Sequence, residues 1–176
     1  RGASAVGRCC RGGWQTAASG EWLDRFRMQV TGTVEAVLQV KGHQVWSVGP
    51  DDTVYEAIRL MAHHKAGALV VMDRGKVMGV VSERDYTRKV ALQGRNSRQT
   101  NVREILTENP YTVSPEATVE ECLKIMSEKR IRHLPVLRGD QVVGVISISD
   151  LVDWMIGAQR AAITQLESYI SGQYPA

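Results

Sequence analysis

Apolar residues recur at i, i+3, i+4 and i+7 in two stretches: Val54, Ala57, Ile58 and Met61, and again Val119, Cys122, Leu123 and Met126. That spacing predicts two amphipathic helices, each with one stripe to bury. A Thr-x-x-Glu pair opens both, Thr53 with Glu56 and Thr118 with Glu121, the pattern of a capping box in which each side chain satisfies the other residue's amide. Short apolar runs follow each helix. "ALVVM" and "VMGVV" bracket Asp73-Arg74-Gly75-Lys76, and "LPVL" and "VVGVI" bracket Arg138-Gly139-Asp140-Gln141, so two hairpins are expected. A further helix is predicted just after Ser82 and just after Ser147, and a short first strand near Val45–Val48 and near Tyr111–Val113. Each unit therefore reads strand, helix, strand, strand, helix, a mixed α/β (α+β) arrangement.

The two units are copies. A shift of 65 lays residues 48–85 on 113–150 without a gap, with Pro50 on Pro115, Thr53 on Thr118, Met61 on Met126, Gly79 on Gly144, Ser82 on Ser147 and Asp85 on Asp150. Two copies of that length predict a pair of subdomains about a pseudo-twofold axis rather than a solenoid. Matching lead-in helices are expected at "TVEAVLQ" from Thr33 and "NVREILT" from Asn101, offset by 68, with the three extra residues falling around Lys41, Gly42 and His43. The expected division is a leader over 1–27, one domain over 33–95, a second over 100–156, and a C-terminal helix and tail over 157–176. The stretch from Val152 to Ile170 carries Met155, Ala158, Ala162, Ile163, Leu166 and Ile170 at helical spacing, which points to a partner chain and a homodimer.

Charge narrows the function. The chain of 176 residues carries +3, and five arginines against Glu21 and Asp24 within residues 1–27 account for all of it. A body with balanced charge has no basic stripe for a phosphodiester backbone, so no nucleic-acid partner is expected. No apolar run reaches the ~18–20 residues of a membrane helix, so no membrane partner is expected either. Cys9 and Cys10 are adjacent and Cys122 lies on an apolar helical face, which makes no disulfide framework and suits a reducing compartment. The leader is read as upstream sequence or a scar before Met28, giving a cytoplasmic location. Its Arg- and Ser-rich character leaves a transit peptide and the mitochondrial matrix as the alternative. No P-loop, dinucleotide fingerprint or nucleophile motif is present, and the adjacent His63 and His64 point apart, as solvated residues do; neither an enzyme nor a metal site is expected.

The capping-box helix starts, "IRHLPVL", and the twice-written Gly-x-x-Ser-x-x-Asp turn together resemble tandem CBS domains, the pair called a Bateman module, over roughly Thr33 to Trp154. "ERDYTRKV" and "QLESYISG" are similar to text of the small stand-alone CBS-pair proteins. The resemblance implies no catalytic cofactor. It implies instead a regulatory ligand, an adenosine-containing nucleotide such as AMP, ADP, ATP, NAD or S-adenosylmethionine, held in clefts between the domains.

On that resemblance, Ser82, Asp85, Ser147 and Asp150 are expected to hold ribose, an aspartate accepting from the diol while the neighbouring glycine lets backbone approach the ligand. The same four residues are also simply helix caps. Phosphate would be met by Arg130, Arg132 and His133 beside the Ser147–Asp150 turn, and in the first repeat by Arg84, Arg88, Lys89 or the linker residue Lys41. Adenine would sit against Val48, Gly67 and Ala68 on one side and Thr112 and Val113 on the other, with Trp46 able to stack. Because Gly67 and Ala68 stand where the second repeat has Arg132 and His133, the two sites are expected to differ. The expected function is a nucleotide-sensing regulatory module that acts on some other protein. A dimerisation or partner-binding module with decayed clefts, or the detached regulatory arm of an enzyme, are the alternatives.

Overall fold

The computed structural model describes residues 32–170; the leader over 1–27 and the tail beyond Ile170 lie outside the described residues. Helix α1 (Val34–Lys41) leads into β1 (Ser47–Val48), α2 (Val54–His64), the hairpin β2 (Ala68–Asp73) and β3 (Lys76–Ser82), and α3 (Glu83–Lys89). A 3-10 turn over Val102–Glu104 leads to β4 (Thr107–Glu108), α4 (Val119–Lys129), the hairpin β5 (His133–Arg138) and β6 (Gln141–Ser147), and α5 (Ile148–Ile170). The first sheet runs β1-β2-β3-β4, with β1 parallel to β2 and the other pairs antiparallel. β5 and β6 form a separate antiparallel pair.

Local sequence accounts for most of this. Thr118 and Glu121 close the expected capping box, whereas Thr53 accepts from the Glu56 amide and Glu56 itself turns to Arg59 at 2.8 Å. Arg74-Gly75 makes the first hairpin turn with both residues at positive φ, which glycine tolerates without a steric cost. Val54, Ala57 and Met61 are buried, as are Val119, Cys122 and Met126, so the helical stripes face the cores the pattern requires. Burial pushes the Cys122 thiol up to about 11, assisted by the charge of Glu121, and it stays a thiol among the core aliphatics.

Three elements differ from expectation. The segment from Asn101 is a single 3-10 turn rather than a second lead-in helix, because Thr107 and Glu108 leave it to pair with Val80 and Gly79 of β3. The strand expected at Tyr111–Val113 is reduced to one parallel bridge from Val113 to Val136. The helix after Ser147 and the C-terminal helix are one element, 23 residues long.

The lead-in segments exchange cores. Val34 and Glu35 of α1 donate to Ala117 and Pro115 at 2.9 Å, and Val119 donates back to Gly32 at 3.0 Å, all in the second repeat. Val102 and Arg103 donate to Asp52 and Pro50 at 2.9 Å, and Val54 donates back to Thr100 at 2.9 Å, all in the first. Val34, Val37 and Leu38 are accordingly buried with Leu134, Val136 and Ile146. Val102, Ile105 and Leu106 are buried with Leu69, Val71 and Val81. Each repeat thus completes the other's core.

Candidate functional site

Both Ser-x-x-Asp turns are built in the same way. Ser82 Oγ donates to Asp85 Oδ2 at 2.6 Å and accepts from the Asp85 amide, while the Ser82 amide donates to the same oxygen at 3.1 Å. Ser147 and Asp150 repeat this at 2.7 Å for both donors. These are complete capping boxes. In each, the serine hydroxyl and amide converge on Oδ2; at Asp150 the Lys41 ammonium meets that same oxygen, whereas at Asp85 the neighbouring cation takes the other one. Asp85 Oδ1 takes Lys89 at 2.9 Å.

The glycine ahead of each turn has a role the sequence did not suggest. A Cβ on Gly79 would lie 2.5 Å from the Thr107 carbonyl oxygen and from Leu106 Cδ1, and one on Gly144 would lie 2.6 Å from Leu38 Cδ2. The space these glycines leave is filled by the exchanged leucines rather than by an approaching ligand. Leu38 and Leu106 are themselves 68 apart, the offset of the lead-in segments.

A cavity opens at each turn. The first, about 370 Å³, brings Ser82, Arg84 and Asp85 together with Thr107–Tyr111 and with Arg130, Arg132 and His133. The second, about 510 Å³, brings Ser147 and Asp150 together with Lys41, Gln44, Trp46, Lys65, Gly67 and Ala68, and again Arg132 and His133. The cations are therefore crossed between repeats. Arg130 belongs to the Ser82 cleft, where Arg84 Nη1 donates to its carbonyl at 2.8 Å, and not to the Ser147 turn of its own repeat. Lys41, expected to serve the first repeat, is ion-paired to Asp150 and donates to the Val145 carbonyl at 2.9 Å. The crossing follows from the exchange of α1, whose C-terminal end delivers Lys41 to the second repeat.

The proposed adenine walls are only partly brought to the cavities. Gly67 and Ala68 line the second, and Gly67 also borders the first. Val48 and Val113 are buried in the two cores, and Thr112 is exposed and lines neither cavity. The aromatic residues at those places are Trp46 and Tyr111, which occupy matching positions in the two repeats. His64 is not simply solvated, since its ring stacks on Trp46 at 3.4 Å between centroids and 12° between planes. Sequence periodicity missed this pair because a residue closing a helix and one leading into a strand show no common period.

Two titratable groups lining the second cleft are shifted from their ordinary values. Burial raises the Asp150 carboxyl, but the hydrogen bond from Lys41 and those from Ser147 outweigh it and hold the group below the usual carboxylate range. His133 is lowered by burial first and by Lys41 next, so its imidazole is neutral at pH 7. Among the described residues no group of three or more His, Cys, Asp or Glu is placed to hold a metal ion.

Because Asp150 is depressed in the folded state, its charged form stabilises the fold above the ordinary carboxylate pKa, and that contribution is lost as pH falls through the folded value. Lys41→Met should raise the pH of the acid-unfolding midpoint and cost about 0.5–1 kcal/mol at pH 7, a modest figure because the Lys41 side chain is 35% exposed. Acid titration followed by circular dichroism checks this, and an unmoved midpoint would show that the pair carries no net stability.

The CBS domain family model matches residues 37–92 and 102–157. The Arabidopsis thaliana protein "CBS domain-containing protein CBSX3, mitochondrial" is 38% identical over 162 residues, covering 84% of this chain and 78% of that one. A CBS-domain structure from Burkholderia ambifaria MC40-6 is 45% identical with a TM-score of 0.70, covering 73% of this chain and 96% of that one. The CBS-domain containing protein ATU1752 from Agrobacterium tumefaciens is 38% identical with a TM-score of 0.67, covering 69% and 98%. Two matched domains, an internal pseudo-twofold and clefts at both Ser-x-x-Asp turns show that the chain belongs to the CBS-domain family, as a tandem CBS protein of the Bateman-module kind.

Proposed function

We propose that this module is a non-catalytic regulatory sensor of adenine nucleotides, in the class of AMP, ATP or NAD. One observation carries the reading: Ser82 and Asp85 share a cavity with the guanidinium-bearing Arg84, Arg130 and Arg132. A carboxylate suits a ribose diol and forked guanidinium groups suit phosphate, and the volume falls in the range of small-ligand pockets, about 300–1,000 Å³. Tyr111, 50% exposed on the cavity wall, offers an aromatic face to a base. The Ser147 cleft offers the same elements with Lys41 and Lys65 as its own cations.

The test is a thermal-unfolding panel with nucleotide-stripped protein and AMP, ATP, NAD and S-adenosylmethionine, because a ligand that binds only the folded state raises the melting temperature. A selective rise is expected, reduced by Asp85→Asn and by Asp150→Asn, and lost in the double variant. Either substitution alone should cost only a capping increment of about 0.5–1 kcal/mol in the absence of ligand. A flat panel overturns the nucleotide reading.

A second reading, a self-assembling module, is supported by α5. Ile148, Val152, Ile156 and Ile163 lie 40–56% exposed on it, and Ile156, Ile163 and Ile170 are spaced by seven, the repeat of a coiled-coil seam. A second copy of the chain is the matching partner, which makes the sensor a homodimer. Ile163→Asp should convert the dimer to monomer in sedimentation velocity at micromolar concentration; an unchanged sedimentation coefficient would remove α5 from the interface. The Arabidopsis relative is named mitochondrial, which supports the mitochondrial matrix as the alternative to the cytoplasmic location expected from the sequence.

A further inference from the structure

The two cavities share a wall. Gly67, Glu83, Arg132 and His133 line both of them. The wall is lopsided, because Gly67 of the first repeat stands where the second has Arg132, and Ala68 stands where the second has His133. The backbone of each position is fixed in the same way, the Glu83 amide donating to the Gly67 carbonyl at 3.2 Å and the Ile148 amide to the Arg132 carbonyl at 3.0 Å. A symmetric module would have two cations at this wall. This one has a single guanidinium on an exposed side chain, with the His133 ring packed against Gly67, 3.1 Å from where its Cβ would be.

We propose, resting on the nucleotide reading above, that the two clefts are negatively coupled through Arg132: the first phosphorylated nucleotide takes the shared guanidinium, and the second binds without it. Arg84 and Arg130 add to Arg132 in the Ser82 cleft, so that cleft fills first. The Ser147 cleft then retains Lys65 and a Lys41 already paired with Asp150. The negative charge of Glu83, which lines both clefts, and the phosphate across the shared wall both oppose a second anion, an effect that added salt should weaken. Uncharged adenosine makes no demand on Arg132, so its binding in the two clefts is independent.

The test is titration calorimetry of the nucleotide-stripped, undivided 176-residue chain with AMP and with adenosine. Closing the Ser82 cleft by Asp85→Asn, or by Arg84→Gln with Arg130→Gln in case the first variant folds poorly, frees Arg132. AMP affinity in the Ser147 cleft should then rise about 10- to 100-fold above the weaker wild-type step, the range expected for one charge-assisted contact. Adding Arg132→Gln should abolish that gain, and adenosine should show none. If wild-type protein takes up one AMP only, a site newly detected after closing the Ser82 cleft supports the proposal. A second-step affinity that does not change when the first cleft is closed overturns the coupling while leaving the nucleotide reading intact. Absence of AMP, ATP and NAD binding in wild-type protein overturns both.

Discussion

Gly79→Ala should lower the unfolding free energy by about 3 kcal/mol, and Gly144→Ala by about 1–2 kcal/mol, although both remove the same residue from the same place in the repeat. The difference lies in what the new methyl group meets. At Gly79 it lies 2.5 Å from the Thr107 carbonyl oxygen, which is main chain held by the pairing of β4 with β3, so relief requires the edge strand to detach. At Gly144 the obstacle is the far end of the Leu38 side chain, which can turn to another rotamer at a smaller cost. Alanine's better intrinsic behaviour within a strand offsets only a few tenths to about 1 kcal/mol in either case. Urea unfolding midpoints of the two variants check the ranking. Leu38→Ala added to Gly144→Ala should cost much less than Leu38→Ala alone, because the two atoms compete for one space. Equal losses at the two glycines, or additive losses for the pair, would mean that the exchanged segments do not sit over β3 and β6.

That prediction turns on a feature local sequence does not specify. Val34, Val37 and Leu38 match Val102, Ile105 and Leu106 in spacing and in kind, and the cores they enter are copies of one another. A pattern of apolar positions therefore says that each segment is buried without saying beneath which hairpin. Features fixed by neighbours in sequence were readable: the Thr118–Glu121 box, the Arg74-Gly75 turn, the buried stripes of α2 and α4, and the Ser-x-x-Asp turns. The lead-in helix expected at Asn101 does not form, because strand pairing by Thr107 and Glu108, a long-range interaction, outweighs helix propensity over so short a segment.

The candidate site was legible to the same depth. Its serine and aspartate residues lie three apart and announce themselves as a motif. Its cations lie 46 residues from their cleft in the case of Arg130 and Arg84, and 109 residues away in the case of Lys41 and Asp150. Only the crossing of the chain brings them there. The asymmetry of the two clefts was nonetheless visible in sequence, because Gly67 opposite Arg132 is a difference between aligned positions and needs no knowledge of the path between them.

The crossing has one further consequence, which concerns how the protein can be divided. A fragment covering residues 33–95 contains a whole repeat as the sequence is written, yet it lacks Val102, Ile105 and Leu106, all buried in that repeat's core. It also carries α1 with Val34, Val37 and Leu38 exposed, since their places lie in the absent second core. A fragment covering residues 44–110 is of similar length, omits α1, and holds every buried residue of the first core from Val48 to Leu106 together with β4. Three buried aliphatic side chains contribute about 1.5–3 kcal/mol each, which is comparable to the entire stability of a domain this small. The 44–110 fragment should therefore give a cooperative thermal transition, and the 33–95 fragment should show none while binding a hydrophobic dye at room temperature. If 33–95 melts cooperatively at the same temperature as 44–110, the repeats are self-contained and the exchange of α1 with the segment 101–108 does not hold. If neither folds, the intact chain settles the matter, because Ile105→Ala should then speed amide exchange in β2 and β3 more than in β5 and β6, and a larger effect in β5 and β6 would reverse the assignment.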